Sequence, residues 1–224
     1  MTNKYAIIVA GGSGTRMHSA IPKQFMLLNG IPVLMHTINV FHSSEAKPGI
    51  VVVLHPDSHE YWKSLCAEHN FTIPHQLVSG GETRFHSVKN GFNTIEDEDA
   101  VIAIHDAVRP LVTKEIIDES YKCAEKYGNA IVAIKSRDSV RQIKDNRSAS
   151  LNRDEIYLIQ TPQTFHASQL KKAYLQPYQE SFTDDASVVE QTGVNINLIS
   201  GSYQNIKITY PEDIAIAEFL LGSG

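Results

Sequence analysis

Ala6-Ile-Ile-Val-Ala-Gly-Gly-Ser-Gly-Thr-Arg-Met-His-Ser-Ala-Ile-Pro-Lys-Gln24 is the stretch on which the reading of this chain turns. The apolar run from Tyr5 to Ala10 has the length and β-branched content of a buried strand, and it stops at Gly11, Gly12 and Gly14. Glycines after a strand let the backbone take positive φ, and successive N–H groups in such a turn form a concavity that suits anions. Arg16 and Lys23 set two cations just beyond it. Ala10, Gly11, Gly12 and Gly14 are therefore expected to cradle phosphates, the plainer reading being a tight strand-to-helix turn with no ligand. Two familiar glycine loops fail on named residues. A P-loop needs Gly-Lys-Ser/Thr, which occurs nowhere in the chain. A dinucleotide fingerprint needs a third glycine where Met17 stands and an acidic residue further on, where the chain reads Pro32-Val-Leu-Met-His-Thr-Ile38.

A chain of 224 residues, 42% hydrophobic, can bury one good core, so residues 1–224 are expected to form a single domain. Twenty Lys and Arg against 25 Asp and Glu, with no basic run, exclude a nucleic-acid surface and point to a small anionic ligand. There is no apolar leader and no stretch long enough to span a bilayer, which predicts a soluble cytoplasmic protein. Cys66 and Cys123, far apart, read as reduced core thiols, and Pro56 between His55 and His59 argues against a zinc pair there.

Working outward from the loop, Ile31 to His42 carries Leu34, Ile38 and Phe41 on one helical face, Gly49 to Leu54 is a second buried strand, and Asp57 to His69 is a helix with Trp62 and Leu65 inward. His75 to Val78 is a short third strand. The alternation predicts an α/β, Rossmann-like, mostly parallel sheet flanked by helices, with ligands at the carboxyl ends of its strands. Gly80 and Gly81 turn the chain at such an end, and Glu82, Arg84 and Ser87 open the next helix, a pattern that ordinary capping also explains. Ala100 to His105 reads as a central strand running into Asp106-Ala-Val-Arg109-Pro110. A carboxylate at the end of a buried strand is costly unless it meets a cation, a metal or substrate hydroxyls, so Asp106 should face a cleft. The bland alternative is an Asp106–Arg109 pair that only fixes the turn.

Thr113 to Tyr127 is amphipathic, with Ile116, Ile117, Tyr121 and Ala124 inward and Gly128 as its stop, and Ala130 to Ile134 is the next strand. Residues 136–157 are charged and rich in Ser and Asn, with Ser139 to Ile143 and Glu155 to Ile159 as strand-like pieces around a polar tip. They read as a projecting β-hairpin arm, too thin to bury a core and expected to lie against a second copy of the chain. Arg153 on such an arm would by itself point to solvent. Thr183 reads as an N-cap with Asp184 and Asp185 in the first helical turn, where the dipole explains them without catalysis. Asn195 to Ile199 is a further strand, Asn205 to Thr209 presents Lys207 among apolar neighbours, and Thr209-Tyr-Pro-Glu212 opens the last helix.

Taken together, these blocks resemble the sugar nucleotidyltransferases. Ala10-Gly-Gly-x-Gly-x-Arg-Met17 followed by Pro22-Lys-Gln-Phe25 is similar to that family's signature, and the short spacing between them is similar to the branch that loads CTP onto polyol phosphates. His105-Asp-Ala-Val-Arg-Pro110, Gln160-Thr-Pro-Gln163 and Asn205-Ile-Lys-Ile-Thr209 follow in family order, so the resemblance runs from Ala10 to Asp213. It implies that Gly81, Glu82, Arg84 and Ser87 line a cytosine pocket. It implies that Asp106 and Arg109 hold the polyol, with Asp106 also placed to approach a magnesium ion otherwise bound through the CTP phosphates, and that Lys207 joins Arg16 and Lys23 on the reacting phosphates. Arg153 would grip the substrate phosphate, and Ser139 would also bind the substrate, across a homodimer with exchanged arms. Asn152 departs from the family's Val-Asp-Arg, and Ser139 stands where Thr is common.

The implied reaction joins CTP to a polyol phosphate and releases pyrophosphate. Members of the branch that act on 2-C-methyl-D-erythritol 4-phosphate in non-mevalonate isoprenoid synthesis match best, and D-ribitol 5-phosphate members share the same blocks. A phosphate monoester loses its second proton at about pH 6, so the nucleophile is already an oxyanion and the task is to manage charge. Two other classes stay open: a non-catalytic nucleotide-binding module, which would bind CTP without releasing pyrophosphate, and an NAD-dependent oxidoreductase, against which the missing glycine and ribose acid count.

Overall fold

The structure, a computed structural model, describes residues 2–10 and 21–222. Gly11, Gly12, Gly14 and Arg16 lie outside the described residues. In chain order the strands and helices are β1 (Lys4–Ala10), β2 (Leu27–Leu28), β3 (Ile31–Pro32), α1 (Val33–His42), β4 (Gly49–Leu54), α2 (His59–Glu68), β5 (Gln76–Ser79), α3 (Arg84–Phe92), β6 (Val101–Asp106), α4 (Lys114–Tyr127), β7 (Asn129–Lys135), β8 (Arg141–Lys144), β9 (Arg147–Ser150), β10 (Tyr157–His166), α5 (Ala167–Tyr174), α6 (Asp185–Glu190), β11 (Leu198–Ser200) and α7 (Glu212–Gly222). Seven strands form one sheet in the order β11-β7-β10-β6-β1-β4-β5. All its pairings are parallel except those of β10, which runs against both β6 and β7. The mostly parallel α/β sheet expected from the sequence is thus the one found.

Alternation along the strands explains how helices cover both faces. Ala6, Ile8 and Ala10 of β1 and Ile50, Val52 and Leu54 of β4 pack against Leu34, Ile38 and Phe41 of α1, Trp62 of α2 and Tyr121 of α4. Ile7, Val9, Val51 and Val53 point the other way, toward Phe85 and Val88 of α3, Leu170 of α5 and Val188 of α6. With both faces buried, β6 is apolar up to its last two residues, His105 and Asp106, and all six of its residues are buried. A third, smaller cluster is made by Leu28, Val33, Val108, Leu111, Ile208 and Ala217. It ties the loop after β6 to the segment at Ile208 and to α7, and so fixes two of the loops at the carboxyl edge of the sheet.

Several local readings are corrected. Ile31 and Pro32 do not begin α1 but pair with Leu27 and Leu28, because Asn29 (φ 49°) and Gly30 (φ 76°) form a two-residue turn of the primed type. The arm is a hairpin of β8 on β9, with Arg141 opposite Ser150 and Lys144 opposite Arg147, turned by Asp145 and Asn146 at φ 49° and 59°. Asp and Asn tolerate that left-handed geometry, and it sets the register. Tyr157 to Ile159 pair with β7 instead of the outgoing arm strand. The strand expected from Asn195 begins at Leu198, because the Asn129 side chain occupies the Asn195 carbonyl and the Asn197 N–H. Thr209 does not cap α7 with its hydroxyl, which donates to the Lys207 carbonyl at 3.0 Å; instead Asp213 in the first turn of α7 reaches back to accept the N–H groups of Thr209 and Tyr210 at 2.7 and 2.8 Å.

In β10 the register with β7 shifts between Ile159 and Gln163, so Gln160 to Pro162 bulge out of the ladder beside the end of β6. That irregularity delivers Gln160 and Thr161 to the region described below.

Close packing of α3 on β1 and β4 depends on Gly91, where a Cβ would stand 2.9 Å from both the Ile7 and Val53 methyls. A helix gains up to about 1 kcal/mol from Gly→Ala, whereas overpacking a core costs about 1–3 kcal/mol. Gly91→Ala is expected to lower the unfolding free energy in a urea titration, and an increase would contradict this packing.

Candidate active site

Asp106 ends β6 at the carboxyl edge of the sheet, 8% exposed. Three cations from three separate segments converge on it. Lys207 Nζ lies 2.8 Å from Oδ2, Arg109 Nε 3.5 Å from the same oxygen, and Arg84 Nε 3.5 Å from Oδ1. Burial pushes the Asp106 carboxyl up, but Arg84, Lys207 and Arg109 outweigh it and hold the group well below the usual carboxylate range. Both alternatives weighed for Asp106 are therefore present: it faces a cleft, and it also pairs with Arg109.

Each cation has its own support. Arg109 donates from Nη1 to the Asn205 carbonyl at 2.7 Å, and Ile208 N–H bonds to the Val108 carbonyl at 2.9 Å, so the loop after β6 and the segment carrying Lys207 are sewn together. With Ile208 buried in the third cluster, Lys207 is turned toward Asp106. Arg84 opens α3 and makes a bidentate pair with Asp185, Nη1 to Oδ1 at 2.9 Å and Nη2 to Oδ2 at 2.6 Å. Burial lowers the Arg84 pKa, but Asp185 and Asp106 raise it more, so its net shift is upward. The sequence reading of Asp185 as a dipole-favoured acid misses this. Asp184, not Thr183, is the N-cap, its carboxylate taking the Ser187 N–H in a capping box, and Asp185 is fully buried as the counter-ion of Arg84.

His105 is fully buried behind Asp106 and takes no part in charge. Burial, only partly offset by its bond to Arg109 and by Asp106, pushes it down to about 4, so it is neutral near pH 7. Its Nε2 faces the Arg109 carbonyl at 3.1 Å, which calls for the proton on Nε2. Nδ1 then accepts from Thr161 Oγ1 at 3.1 Å, and that hydroxyl accepts in turn from Asp106 N–H at 3.1 Å. This closed set of hydrogen bonds fixes the Asp106–Arg109 turn against the bulge of β10.

The cleft has three adjoining parts, and Arg84 lines all of them. The middle part, about 120 Å³, lies among Ala10, Lys23, Gln24, Asp106 and Lys207. A wider part of about 840 Å³ opens toward Pro22, His55, Gly80, Gly81 and Glu82. The third, about 270 Å³, extends along Arg109, Gln160, Thr161, Gln163 and Asp184. A separate cavity of about 600 Å³ between Phe92 and Leu175, on the opposite edge of the sheet, holds none of these groups.

Of the expected site residues, Ala10, Lys23, Gly81, Glu82, Arg84, Asp106, Arg109 and Lys207 line the cleft. Ser87 does not. It is buried, accepts from Gly81 N–H at 3.1 Å and donates to the Thr83 carbonyl at 3.0 Å, so it shapes the glycine turn from behind. Gly81 leaves no alternative there, since a Cβ would come 2.5 Å from that of His86. Ser139 and Arg153 sit on the arm, exposed, with Arg153 Nη1 donating to the Arg137 carbonyl, and neither lines this cleft. Gln24, Gln160, Thr161, Gln163, Asp184 and Asp185 were given no role from sequence. Their early signs were the blocks that contain them, Pro22-Lys-Gln-Phe25, Thr183-Asp-Asp-Ala-Ser187 and Gln160-Thr-Pro-Gln163, and the two amides of the last brace the site: Gln160 donates to the Ser202 carbonyl at 2.8 Å, and Gln163 bonds Asp184 at 2.9 Å and Ala186 N–H at 2.8 Å.

Among the described residues, no three His, Cys, Asp or Glu side chains gather as a metal cage, and no helix is long and apolar enough to cross a membrane. What the cleft offers at its centre is the Asp106 carboxylate set among three cations, beside a glycine turn, with Glu82 and Asp184 farther out along its walls.

Comparison with known proteins matches nearly the whole chain. The family model for 2-C-methyl-D-erythritol 4-phosphate cytidylyltransferase matches residues 5–223. A protein of that name from Azobacteroides pseudotrichonymphae is 46% identical over 99% of this chain and 100% of its own length. Another from Bacteroides thetaiotaomicron is 46% identical over 96% of this chain and 98% of its own. The crystal structure of the 4-diphosphocytidyl-2C-methyl-D-erythritol synthase of Anaerococcus prevotii superposes with a TM-score of 0.84 at 28% identity, covering 99% of this chain and 96% of that one.

The His105 geometry has a pH signature. Its folded value of about 4 lies below the 6.5 of an unperturbed histidine, so the unfolded chain protonates first as pH falls. The contribution is complete above pH 6.5 and is lost progressively between 6.5 and about 4, and the depressed Asp106 extends the loss below that window. Unfolding free energy measured in urea should fall over this range in the natural chain and fall less steeply in His105→Gln. Equal slopes would contradict the buried neutral assignment.

Proposed function

The chain belongs to the 2-C-methyl-D-erythritol 4-phosphate cytidylyltransferase family, and we propose that its cleft performs the family's reaction with the residues described above. It transfers CMP from CTP to 2-C-methyl-D-erythritol 4-phosphate, giving 4-diphosphocytidyl-2-C-methyl-D-erythritol and pyrophosphate, a step in isoprenoid precursor synthesis by the non-mevalonate route. The observation that carries the assignment of roles is the convergence of Lys207, Arg109 and Arg84 on Asp106, beside Lys23 and the end of β1.

CTP lies along the wide part of the cleft, its base against the Gly80–Glu82 turn that Ser87 holds in shape and its phosphates toward Lys23 and Lys207, with Gly11, Gly12, Gly14 and Arg16 as further phosphate ligands. The polyol lies on the other side of Arg84, its hydroxyls on Asp106 and its phosphate toward Arg109. At neutral pH that phosphate is already largely a dianion, so no general base is required. The barrier is the approach of one polyanion to another. Cations fixed in a partly buried cleft lower it because they are oriented before the substrates arrive. Lys207 is held on Asp106 in the free site, and a hydroxyl arriving at the carboxylate releases its ammonium toward the α-phosphate.

Magnesium fits this donor set in one mode. Among the described residues no three acidic, histidine or cysteine side chains gather to cage an ion, and Asp106 is already neutralised by cations, so the site suits an ion carried in mainly by triphosphate oxygens with Asp106 beside it. When bound, the ion supplies charge neutralisation at the phosphates.

Residues 1–224 work as one unit, with 136–157 as an arm exchanged in a homodimer. Supporting this, Ile143, Tyr157, Leu158 and Ile159 are 68%, 43%, 50% and 40% exposed, an apolar surface along the arm and its base. Arg153 of the partner subunit and the partner's Ser139 then complete the phosphate end of the polyol site. A cytoplasmic location agrees with a triphosphate substrate and two unpaired cysteines.

The test is pyrophosphate release from CTP with magnesium and either 2-C-methyl-D-erythritol 4-phosphate or D-ribitol 5-phosphate, with a chelator control. Turnover with the erythritol compound, abolished by the chelator, is expected. Preference for ribitol phosphate would overturn the substrate, and binding of CTP with no release would overturn the reaction. On dilution, activity per chain should fall as the dimer dissociates; an equally active monomer would remove Arg153 from the site.

A further inference from the structure

Arg84 is the only side chain, among the described residues, that borders all three parts of the cleft. Its guanidinium bridges two carboxylates, turning Nη1 and Nη2 to Asp185 at 2.9 and 2.6 Å and Nε to Asp106 at 3.5 Å. Asp185 is fully buried and also accepts from the Tyr174 hydroxyl at 2.6 Å. The backbone of α6 is held in its turn by Gln163, which accepts from Ala186 N–H at 2.8 Å. A carboxylate buried without a cation would be costly, and here both its oxygens are committed to one Arg in the fork geometry that fixes a guanidinium in plane and direction. A helix-start acid serving only the dipole would be exposed and replaceable.

We propose that Asp185 is a positioning residue for the transfer reaction: acting through Arg84 and steadied by Tyr174, it holds that guanidinium across the boundary between the nucleotide and polyol halves of the cleft and so sets their alignment. This rests on the cytidylyl-transfer reading given above. Arg84, not Asp185, meets the substrates. Loss of the pair frees Nη1 and Nη2 to turn toward a phosphate while Nε stays by Asp106, which spoils alignment more than affinity.

The test is a double-mutant cycle on steady-state pyrophosphate release, with thermal melts of each protein. Asp185→Asn should lower kcat by about 10-fold or more while KM for each substrate changes less, because misalignment acts on the reacting geometry. Tyr174→Phe, which removes one hydroxyl and keeps the ring against Phe85, should give a smaller loss of the same kind and covers the case in which Asp185→Asn does not fold. In an Arg84→Gln background both changes should leave kcat within about 2-fold, since the group they act through is gone. Equal losses in both backgrounds, or melts that fall while kcat holds in Asp185→Asn and Tyr174→Phe alike, would overturn the proposal. Absence of turnover in the natural chain would instead overturn the reaction on which it rests.

Discussion

Everything at the carboxyl edge of this sheet depends on a carboxylate that has been taken out of water. Asp106 is the last residue of a strand buried on both faces, and a lone ionised carboxyl there would cost several kcal/mol or take up a proton. It stays ionised because α3, the loop after β6 and the segment before α7 each bring a cation to it. Those segments are far apart in sequence, so the charge cluster is a product of the whole fold. Conversely, the cluster helps hold the fold's loops in one arrangement.

The cations are in turn held by groups that carry no net charge or that cancel it. Asn205 gives Arg109 its carbonyl while its own amide donates to the Thr161 carbonyl, neutral His105 closes the turn, and Ser87 braces the glycine turn before Arg84. Asp185 cancels most of the charge of Arg84 and leaves its direction. The site is thus cationic enough to attract phosphates, yet each cation points somewhere definite. For a reaction between two polyanions with no proton to remove, oriented charge is the main contribution a protein can make.

The sheet was legible because both of its faces are buried: continuous apolar runs such as Ile50 to Leu54 and Val101 to Ile104 have few other readings, and helical stripes such as Leu34, Ile38 and Phe41 lie between them. Asp106 was legible for a physical reason, an acid where an apolar strand ends. Lys207 was less so, because alternation alone would have sent it to solvent, and it is the anchoring of Ile208 beside Val108 that turns it inward. Asp185 was misread because a carboxylate in a first helical turn already has a sufficient local explanation, and its partner lies 101 residues away. Ser87 was placed in the cleft by analogy, whereas its hydroxyl is spent on backbone groups. A hairpin is present in the polar stretch, but its pairing differs from the one expected, since short exposed strands take their register from turn geometry at Asp145 and Asn146, where no buried pattern constrains it.

The most direct measurement is turnover of Asp106→Asn with CTP, magnesium and 2-C-methyl-D-erythritol 4-phosphate, alongside its melting curve. The substitution keeps the shape and removes the charge that gathers Lys207, Arg109 and Arg84. If the cluster organises the reaction, turnover falls on the order of 10²-fold or more while the chain remains folded. A folded Asp106→Asn protein with near-natural turnover would contradict the account at its centre.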